Sequence, residues 1–590
     1  MMKLTGQNLA NICAILLLLT TAVATAQVRS ATITGTATDS SGAVIVDANV
    51  TARDESTNIA YTGKTTQTGQ YTIPYLATGT YTVIIEKSGF QKYTATGVQL
   101  SASQTVKVDG ILGVGTTTEQ VDIQTSTVQL QSESSTITAA IDAKVIDAIP
   151  NVTQNPLYYA TLQNGVQPRN QTANSQTLNS FGIGVAGRAQ YSSIGVNGGR
   201  AFENDIQLDG LPITGAGFNE AAIVPNQEGI QEVRVISNNF TADYGRGMSV
   251  MAINTKSGGN QFHGQASYTI RNEALNANTP GNKMQGIRRP AFKVNDFGGS
   301  LSGPIIKNKL FFSSSYHFQR FNQGQVYLQT VPTALERVGD FSQTLTQDGS
   351  GRPVPVQIYD PYNVTQIGTN LYRRALIPNA IIPNPNPAAL LMYSFYPLPN
   401  RTPNDVYNAN NYTSTVVNTV RKHTLSNRVD YKLGKHSIYG SGGLDFGTIL
   451  QPRAFGTAPF NNAPTTTQDR NYYAQIGDTI VVKPTLYVDV RYGATRIGAI
   501  NVGGNQSGFT QYGDFGIAPA TQALFAVMGS APVVNPNGFT GGTGGGSNWS
   551  GLSSGQFANK REYQIAHAVN GSVTKVAGRW TYKAGSEYRV

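Results

Sequence analysis

The second half of this chain alternates apolar and charged side chains with a period of two. In the segment "LSNRVDYKL", Val429 and Tyr431 alternate with Arg428, Asp430 and Lys432, and the segment "LYVDVRYG" repeats the pattern. Successive side chains of a strand point to opposite faces, so each segment predicts a strand with one apolar and one charged face. Beyond the N-terminus, no stretch reaches the about 18 apolar residues of a membrane-spanning helix. A membrane crossing in this half would therefore consist of strands.

The connections between these strands favour a membrane barrel over a soluble sandwich, although both architectures alternate along each strand. Short turns such as "LGKH" and "VKPT" lie at one end of the strands. Long loops rich in Asn, Gly and Pro lie at the other end, the longest at residues 323–420. Outer-membrane barrels have this asymmetry, and barrel closure gives every backbone amide a partner in hydrocarbon. We therefore predict an antiparallel transmembrane β-barrel over residues 262–590.

The last twelve residues, "RWTYKAGSEYRV", continue the alternation to the final position. The predicted outer face carries Tyr582, Ala584 and Tyr588, and the predicted inner face carries Lys583, Glu587 and Arg589. At about ten residues per strand, residues 262–590 supply roughly ten to twelve strands. Because the pattern meets no stop signal, we expect this barrel to be part of a longer one, and the chain to be C-terminally incomplete.

The N-terminus predicts export. Lys3 precedes an apolar core of about 12 residues, which is shorter than the about 20 of a membrane anchor. Small residues then precede Gln27, so residues 1–26 are typical of a secretory signal peptide. Cys13, the sole cysteine, lies within this signal. The mature chain would therefore have no disulfide, no thiolate metal site and no cysteine nucleophile.

Residues 30–113 predict a separate β domain. Segments such as "GQYTIPYL" and "GTYTVIIEKSGF" are short alternating strands bounded by turn residues, which indicates an immunoglobulin-like β-sandwich. The order of the patterns G-x-A-x-D, T-x-x-G-x-Y, L-x-x-G-x-Y and G-F resembles that of the carboxypeptidase regulatory-like domain. The resemblance implies a carbohydrate-binding-like fold. It leaves open whether the domain is a spacer, a docking module or a sugar binder.

Residues 114–136 form a polar linker, and residues 137–258 predict a small α+β domain. In the latter, "QLDG", "EGIQEVRVISNNFTADYGRG" and "INTKSGGNQFHG" resemble the plug domain of TonB-dependent outer-membrane receptors. The segments "RNEALNAN", "FGGSLSGPIIKNKLFF" and "TVPTALERVGDFSQ" are similar to the Oar-like branch of that family. The overall fold class is then mainly β: a sandwich, a plug and part of a barrel.

This resemblance implies an outer-membrane transporter whose loops capture a ligand and whose plug blocks the barrel. The TonB–ExbB–ExbD complex of the inner membrane would supply energy, and the sandwich and plug would lie on the periplasmic side. The weakly matching candidate segment for TonB contact consists of Thr118, Glu119, Gln120, Val121, Asp122 and Ile123. Tyr244 and Arg246 match the family's Y-G-x segment, where a plug arginine can pair with carboxylates on the barrel wall. A surface-turn arginine is the alternative for Arg246.

Other functions lack sequence support. The five histidines (His263, His317, His423, His436 and His567) lack metal-ligand spacing. The letters G-x-G-x-x-G at residues 182–187 lack the flanking strand and helix of a nucleotide site. Basic residues are scattered despite a net charge of +10, so we expect no nucleic-acid partner.

We expect no catalytic site, cofactor or metal. The partners would be outer-membrane lipid and an unknown small ligand or oligosaccharide, with siderophores, oligosaccharides and peptides all open. The alternative function is a secreted carbohydrate-binding or adhesive β protein without transport.

Overall fold

The structure is a computed structural model of the chain. It describes residues 31–590 except 103, 116–119, 125–136, 150, 152–154, 169–182, 184–191, 216–218, 239–243, 245–246, 395, 453–464, 503–517 and 521–560. The predicted signal peptide therefore lies outside the described residues, as do Thr118, Glu119 and Arg246. No helix among the described residues is long and apolar enough to cross a membrane.

The N-terminal part of the chain is a β-sandwich of nine strands. These are β1 (Ala31–Asp39), β2 (Asn49–Asp54), β3 (Ala60–Lys64), β4 (Gln70–Leu76), β5 (Gly79–Glu86), β6 (Lys92–Leu100), β7 (Thr105–Lys107), β8 (Gly110–Leu112) and β9 (Gln120–Gln124). One sheet contains β4, β1, β7 and β8, and the other has the order β3-β2-β5-β6-β9. Tyr71, Tyr81 and Ile85 are fully buried between the sheets. This confirms the predicted sandwich.

The central unit, residues 137–255, is a mixed α+β fold. Its elements are β10 (Ile137–Asp142), α1 (Ala143–Ala148), a 3-10 helix (Pro156–Leu162), β11 (Val166–Pro168), β12 (Ile194–Val196), β13 (Asn204–Leu208), β14 (Leu211–Pro212), a 3-10 turn (Gln227–Gly229), β15 (Ile230–Asn238) and β16 (Ser249–Thr255). The main sheet has the order β10-β15-β16-β13-β14. Every residue of β13 and β16 is buried. These strands lack an exposed face, which explains why alternation is absent from their sequences.

The remainder of the chain begins with β17 (His263–Asn272), a 3-10 turn (Glu273–Leu275), α2 (Pro280–Met284), β18 (Phe292–Ile306), β19 (Leu310–Gln329) and a 3-10 turn (Glu336–Val338). It continues with β20 (Leu345–Gln347), β21 (Pro353–Pro355), β22 (Tyr359–Gly368), β23 (Leu371–Leu376), a 3-10 turn (Pro378–Ala380) and α3 (Pro387–Ser394). It ends with β24 (Tyr412–Leu433), β25 (His436–Gln451), β26 (Thr465–Lys483), β27 (Leu486–Val502), β28 (Arg561–Ala577) and β29 (Trp580–Arg589). Nine of these strands form one antiparallel sheet, here called the wall, in the order β17-β18-β19-β24-β25-β26-β27-β28-β29.

The wall differs from the sequence prediction in two respects. The described residues give nine strands rather than ten to twelve, because β19 and β24 contain 20 and 22 residues where the prediction assumed about ten. The predicted loop at 323–420 is shorter, because both of its ends belong to strands. Gln329 pairs with Tyr412, so the connection between β19 and β24 spans residues 330–411.

The two faces of the wall have the predicted character. Arg428 and Arg491 are buried on the inner face, which the central unit covers, whereas Val429 and Val490 are exposed on the outer face. In β29 the predicted inner residue Arg589 is half-buried and contacts the central unit. The alternation therefore predicted correctly which side chains point inward.

Candidate functional site at the junction of sandwich, central unit and wall

A bidentate ion pair joins the central unit to the last strand of the wall. Asp205 lies on β13, and its two carboxylate oxygens each accept a hydrogen bond of 2.8 Å from the Arg589 guanidinium. The Asp205 side chain is fully buried, and Arg589 also pairs with Glu587. Fork-to-fork geometry of this kind fixes both position and orientation. It attaches β13 of the central sheet to β29.

A second buried ion pair lies at the turn after β13. Asp209 has a positive φ of 51° and accepts hydrogen bonds from the Thr255 amide (3.0 Å) and hydroxyl (2.7 Å). Arg428 on β24 lies 3.2 Å from an Asp209 oxygen and also pairs with Asp430. The Tyr439 hydroxyl donates to the Asp209 carbonyl at 3.3 Å. The wall thus holds the turn after β13 through a network of charged side chains. Asp209, at the centre of this network, is fully buried.

A third polar contact involves the 3-10 turn before β15. Glu228 accepts a hydrogen bond of 2.9 Å from the Ser267 hydroxyl, and its carboxylate lies 3.3 Å from His317 Nδ1. Burial acts to raise the pKa of the Glu228 carboxyl, but the hydrogen bond and charge of His317, together with hydrogen bonds from the Glu228 backbone and Ser267, lower this pKa overall. Gly298 lies directly opposite, where a Cβ atom would be only 2.0 Å from the carboxylate. Glycine at 298 therefore permits the close approach.

The N-terminal sandwich docks against the short-turn end of the wall. The Tyr75 hydroxyl lies 2.9 Å from the Ser572 hydroxyl and 2.7 Å from that of Thr574, both on β28. The sandwich also contacts the central unit, because the Ala102 amide donates to a Glu232 oxygen at 2.9 Å. All three parts of the chain therefore meet at one junction.

A cleft between the sandwich and the wall contains two tyrosines of the sandwich. Its lining includes Tyr61, Tyr75 and the wall residue Lys432. The Lys432 ammonium lies 5.1 Å from the Tyr61 ring centroid, and the Lys583 ammonium lies 5.7 Å from that of Tyr75. One face of each ring is thus occupied by a cation. Neither of these faces is available as a stacking platform for a sugar.

The sequence-predicted site residues lie elsewhere. In the candidate segment for TonB contact, Gln120 to Ile123 belong to β9, which pairs in parallel with β6 at the sheet edge. Tyr244 is 7% exposed and packs with Ile236 and Val250 in a small cluster of the central unit. Sequence reasoning missed the pairing of Asp205, Asp209 and Glu228 with the wall, since their partners lie far away in the chain. Among the described residues, no group of three metal-ligating side chains is present.

Comparison with known proteins identifies the family. The sequence model of the family described as "Outer membrane beta barrel domain" matches residues 254–590, and that of the carboxypeptidase regulatory-like domain matches residues 32–112. Because the first match covers more than half of the chain, this protein belongs to the outer-membrane β-barrel family. Its location is accordingly the outer membrane.

The chain is also similar to individual proteins. Over 304 residues the chain is 29% identical to the TonB-dependent transporter Oar of Myxococcus xanthus, an alignment that covers 49% of this chain and 26% of Oar. The outer-membrane transporter YddB of Escherichia coli matches 77% of this chain and 48% of its own, at 10% identity and a TM-score of 0.44. The ferric enterobactin receptor PfeA of Pseudomonas aeruginosa matches the same shares at 14% identity and a TM-score of 0.37. The chain thus matches about a quarter of Oar and about half of these solved structures. The resemblance to Oar-like TonB-dependent receptors is confirmed.

Proposed function

We propose that this chain is part of a TonB-dependent outer-membrane transporter, in which residues 137–258 act as the plug and residues 262–590 form part of the barrel. The observation that carries the proposal is the set of buried ionic contacts between the central unit and the inner face of the wall. The pairs Asp205–Arg589 and Asp209–Arg428 join the central unit to the inner face of the wall, and this supports a role in which the central unit obstructs a lumen.

The chemistry of this interface suits an element that moves. Inner-face side chains near the central unit include buried polar ones such as Ser315 and Asn570, beside one apolar cluster in which Ile183 of the central unit packs against the wall. A buried ion pair contributes little net stability, because its attraction is offset by the cost of removing both charges from water. A plug held in this way can separate into water at lower cost than one held by an apolar core. The alternative, a secreted adhesive protein, gains no support from the relatives found.

Energy coupling would act through the segment between sandwich and plug. The predicted linker at 114–136 overlaps the sandwich, because Gln120–Gln124 form its edge strand β9. We propose that Thr118 to Ile123 contact TonB of the TonB–ExbB–ExbD complex. The edge position of β9 supports this, since a strand at a sheet edge is suited to pairing with a partner's strand. The sandwich and the plug would then lie on the periplasmic side. The transported ligand would be a small molecule or an oligosaccharide selected by the long loops.

A site-specific crosslinking experiment tests the proposal. A photoreactive amino acid at Val121 in the full chain, produced in outer membranes, should crosslink to the purified C-terminal domain of TonB. The same group at Gln67, an exposed turn residue of the sandwich, is the matched control and should give no product. If every position from 118 to 123 gives no more product than Gln67, the proposed TonB contact is wrong.

A further inference from the structure

Four hairpins of the described wall turn at its short-turn end. They are β18–β19, β24–β25, β26–β27 and β28–β29, and their connections are residues 307–309, 434–435, 484–485 and 578–579. We call this row of connections the rim. The sandwich contacts strands or turns of all four hairpins, so its attachment extends well beyond the Tyr75 hydroxyl.

Asn260 joins the sandwich to the first hairpin of the rim. Its backbone amide donates to the Ser56 carbonyl at 2.8 Å, and its side-chain amide donates to the Thr57 carbonyl at 2.8 Å. The same side chain donates to the Asn308 side-chain oxygen and accepts from the Asn308 backbone amide, both at 2.8 Å. Gly259 lies against the same sandwich turn, where a Cβ atom would be 3.5 Å from that of Ser56. One asparagine thus holds a sandwich turn against the β18–β19 turn.

The two middle hairpins meet tyrosines of the sandwich. Lys432, at the end of β24, places its ammonium over the ring of Tyr61 in β3. Tyr487, the second residue of β27, lies against Tyr75 of β4 with the ring centroids 6.3 Å apart. Val481 of β26 packs against the same buried cluster. The sandwich therefore covers the inner side of the β24–β25 and β26–β27 hairpins at the rim.

The last hairpin completes the row. Val576, near the end of β28, is buried together with Tyr75 and Tyr487. On β29 the Lys583 ammonium lies over the ring of Tyr75. Neighbouring strands are about 4.8 Å apart, so the six spacings from β18 to β28 amount to roughly 30 Å. A single domain thus bridges the rim over this width.

The wall curves around the central unit, so a domain that bridges the rim crosses the end of the enclosed space. Strands from one edge of the wall to the other contact the central unit, through Ser267 of β17, Arg428 of β24, Tyr473 of β26 and Arg589 of β29. The sandwich also reaches the central unit itself, through the hydrogen bond from Ala102 to Glu232. It therefore lies across the short-turn end, next to the central unit.

We propose that the sandwich is a second barrier of the lumen, and that it must move away from the rim before a solute can pass the short-turn end. Displacement of the central unit alone would leave this end covered. The inference rests on the proposed barrel at residues 262–590 and not on the proposed TonB contact. A failed crosslink at Val121 would therefore leave it intact.

The contacts at the rim suit a barrier that opens. Most of the described ones are hydrogen bonds or contacts between a cation and a ring, and the apolar part is one small cluster around Tyr75. Interfaces between domains of one chain allow relative movement unless they are large and hydrophobic. Water can replace these hydrogen bonds once the sandwich has left the rim. The alternative is a sandwich that braces the rim permanently.

A disulfide lock separates a moving barrier from a fixed brace. In S56C/G259C the two Cβ atoms would be 3.5 Å apart, a separation that a disulfide accepts. The reference S56A/G259A changes the same positions without a lock. The control G368C/L371C has the same Cβ separation of 3.5 Å, in the long connection between β19 and β24. C13A removes the sole native cysteine from every protein in the series.

The readout is the accessibility of Tyr487, which is 2% exposed and lies under Tyr75 at the far end of the rim from the lock. The full chain carries p-azidophenylalanine in place of Tyr487, and outer-membrane fragments are treated with a bulky cyclooctyne–polyethylene glycol. The locked S56C/G259C should be labelled at least about tenfold more slowly than S56A/G259A. N260A, without both side-chain links, should be labelled about tenfold faster than the parent.

The controls decide between the alternatives. G368C/L371C should be labelled as the parent is, and an equal slowing there would assign the effect to disulfides in general. The same azide at the exposed Gln67 gives the rate for an uncovered site. Labelling of the locked protein at the Gln67 rate would show that the sandwich does not cover this end. Equal slow rates in the locked protein, S56A/G259A and N260A would make the sandwich a fixed brace, and either result would overturn the proposal.

Discussion

At the scale of single residues, Asp209 and Arg428 form the contact most sensitive to substitution. Both are at most 5% exposed, so removal of one partner leaves a nearly fully buried charge without its partner. We expect R428Q to lower the free energy of unfolding by about 3–5 kcal/mol. Denaturant unfolding in lipid measures this free energy. The control is R421Q, on the outer face of the same strand, which should change the free energy of unfolding by less than about 1 kcal/mol. Equal effects of the two variants would mean that the charge network contributes no stability.

Glu228 gives the junction a defined response to pH. The carboxyl has a pKa below its ordinary value of 4.5 in the folded chain, so its ionised form is favoured by folding. The stability from this group is therefore fully present above pH 4.5 and is lost as the pH falls through the lower, folded-state pKa. We expect the free energy of unfolding of the parent chain to fall more than that of E228Q between neutral pH and pH values below 4.5. Parallel pH profiles of the two proteins would contradict this.

At the scale of elements, β29 tests the orientation of the wall. Ala584 lies on the outer face four residues after the start of the strand, and its partner Val573 is also exposed. Four residues rise roughly 10 Å, which is near the middle of the apolar band. We expect A584R to cost up to about 2–4 kcal/mol after refolding into lipid. A584L, which keeps an apolar side chain there, should cost far less. Equal denaturant midpoints for A584R and A584L would show that this face does not meet lipid.

Alternation was sufficient to predict the wall strands and the sandwich, because each of these strands has two different environments. Alternation is absent from β13 and β16, where both faces are buried. The pairing of Asp205 with Arg589 was also not predictable, since the partners are 384 positions apart and many carboxylates are equally eligible. The alternation along β29 thus predicts that the Arg589 side chain points inward. Its partner, Asp205, is determined by the three-dimensional packing.

At the scale of the whole molecule, the sandwich is attached to the wall rather than separated from it by a linker. A spacer would make no such contacts, whereas a docking module would. The contacts of Tyr75 and Ala102 therefore favour docking. The docked sandwich lies beside the Asp209–Arg428 network, because Arg428 and Tyr75 line the same cleft. Movement of the central unit away from the wall would therefore disturb the sandwich as well.

This coupling leads to a prediction for Tyr75. Y75F removes the hydroxyl that contacts Ser572 and Thr574, and both partners are at most 4% exposed, so they would remain buried without that hydrogen bond. We expect the sandwich to undock more readily by about 1–3 kcal/mol. Hydrogen exchange of amides in β4 at the Tyr75 end should accelerate accordingly in the full chain. The isolated sandwich, residues 31–124, has its own core and should melt at the same temperature with either residue, which serves as the control. Unchanged hydrogen exchange in the full chain would mean that the hydroxyl does not hold the sandwich in place. An equal loss of stability in the isolated domain would assign the effect to the fold of the sandwich itself.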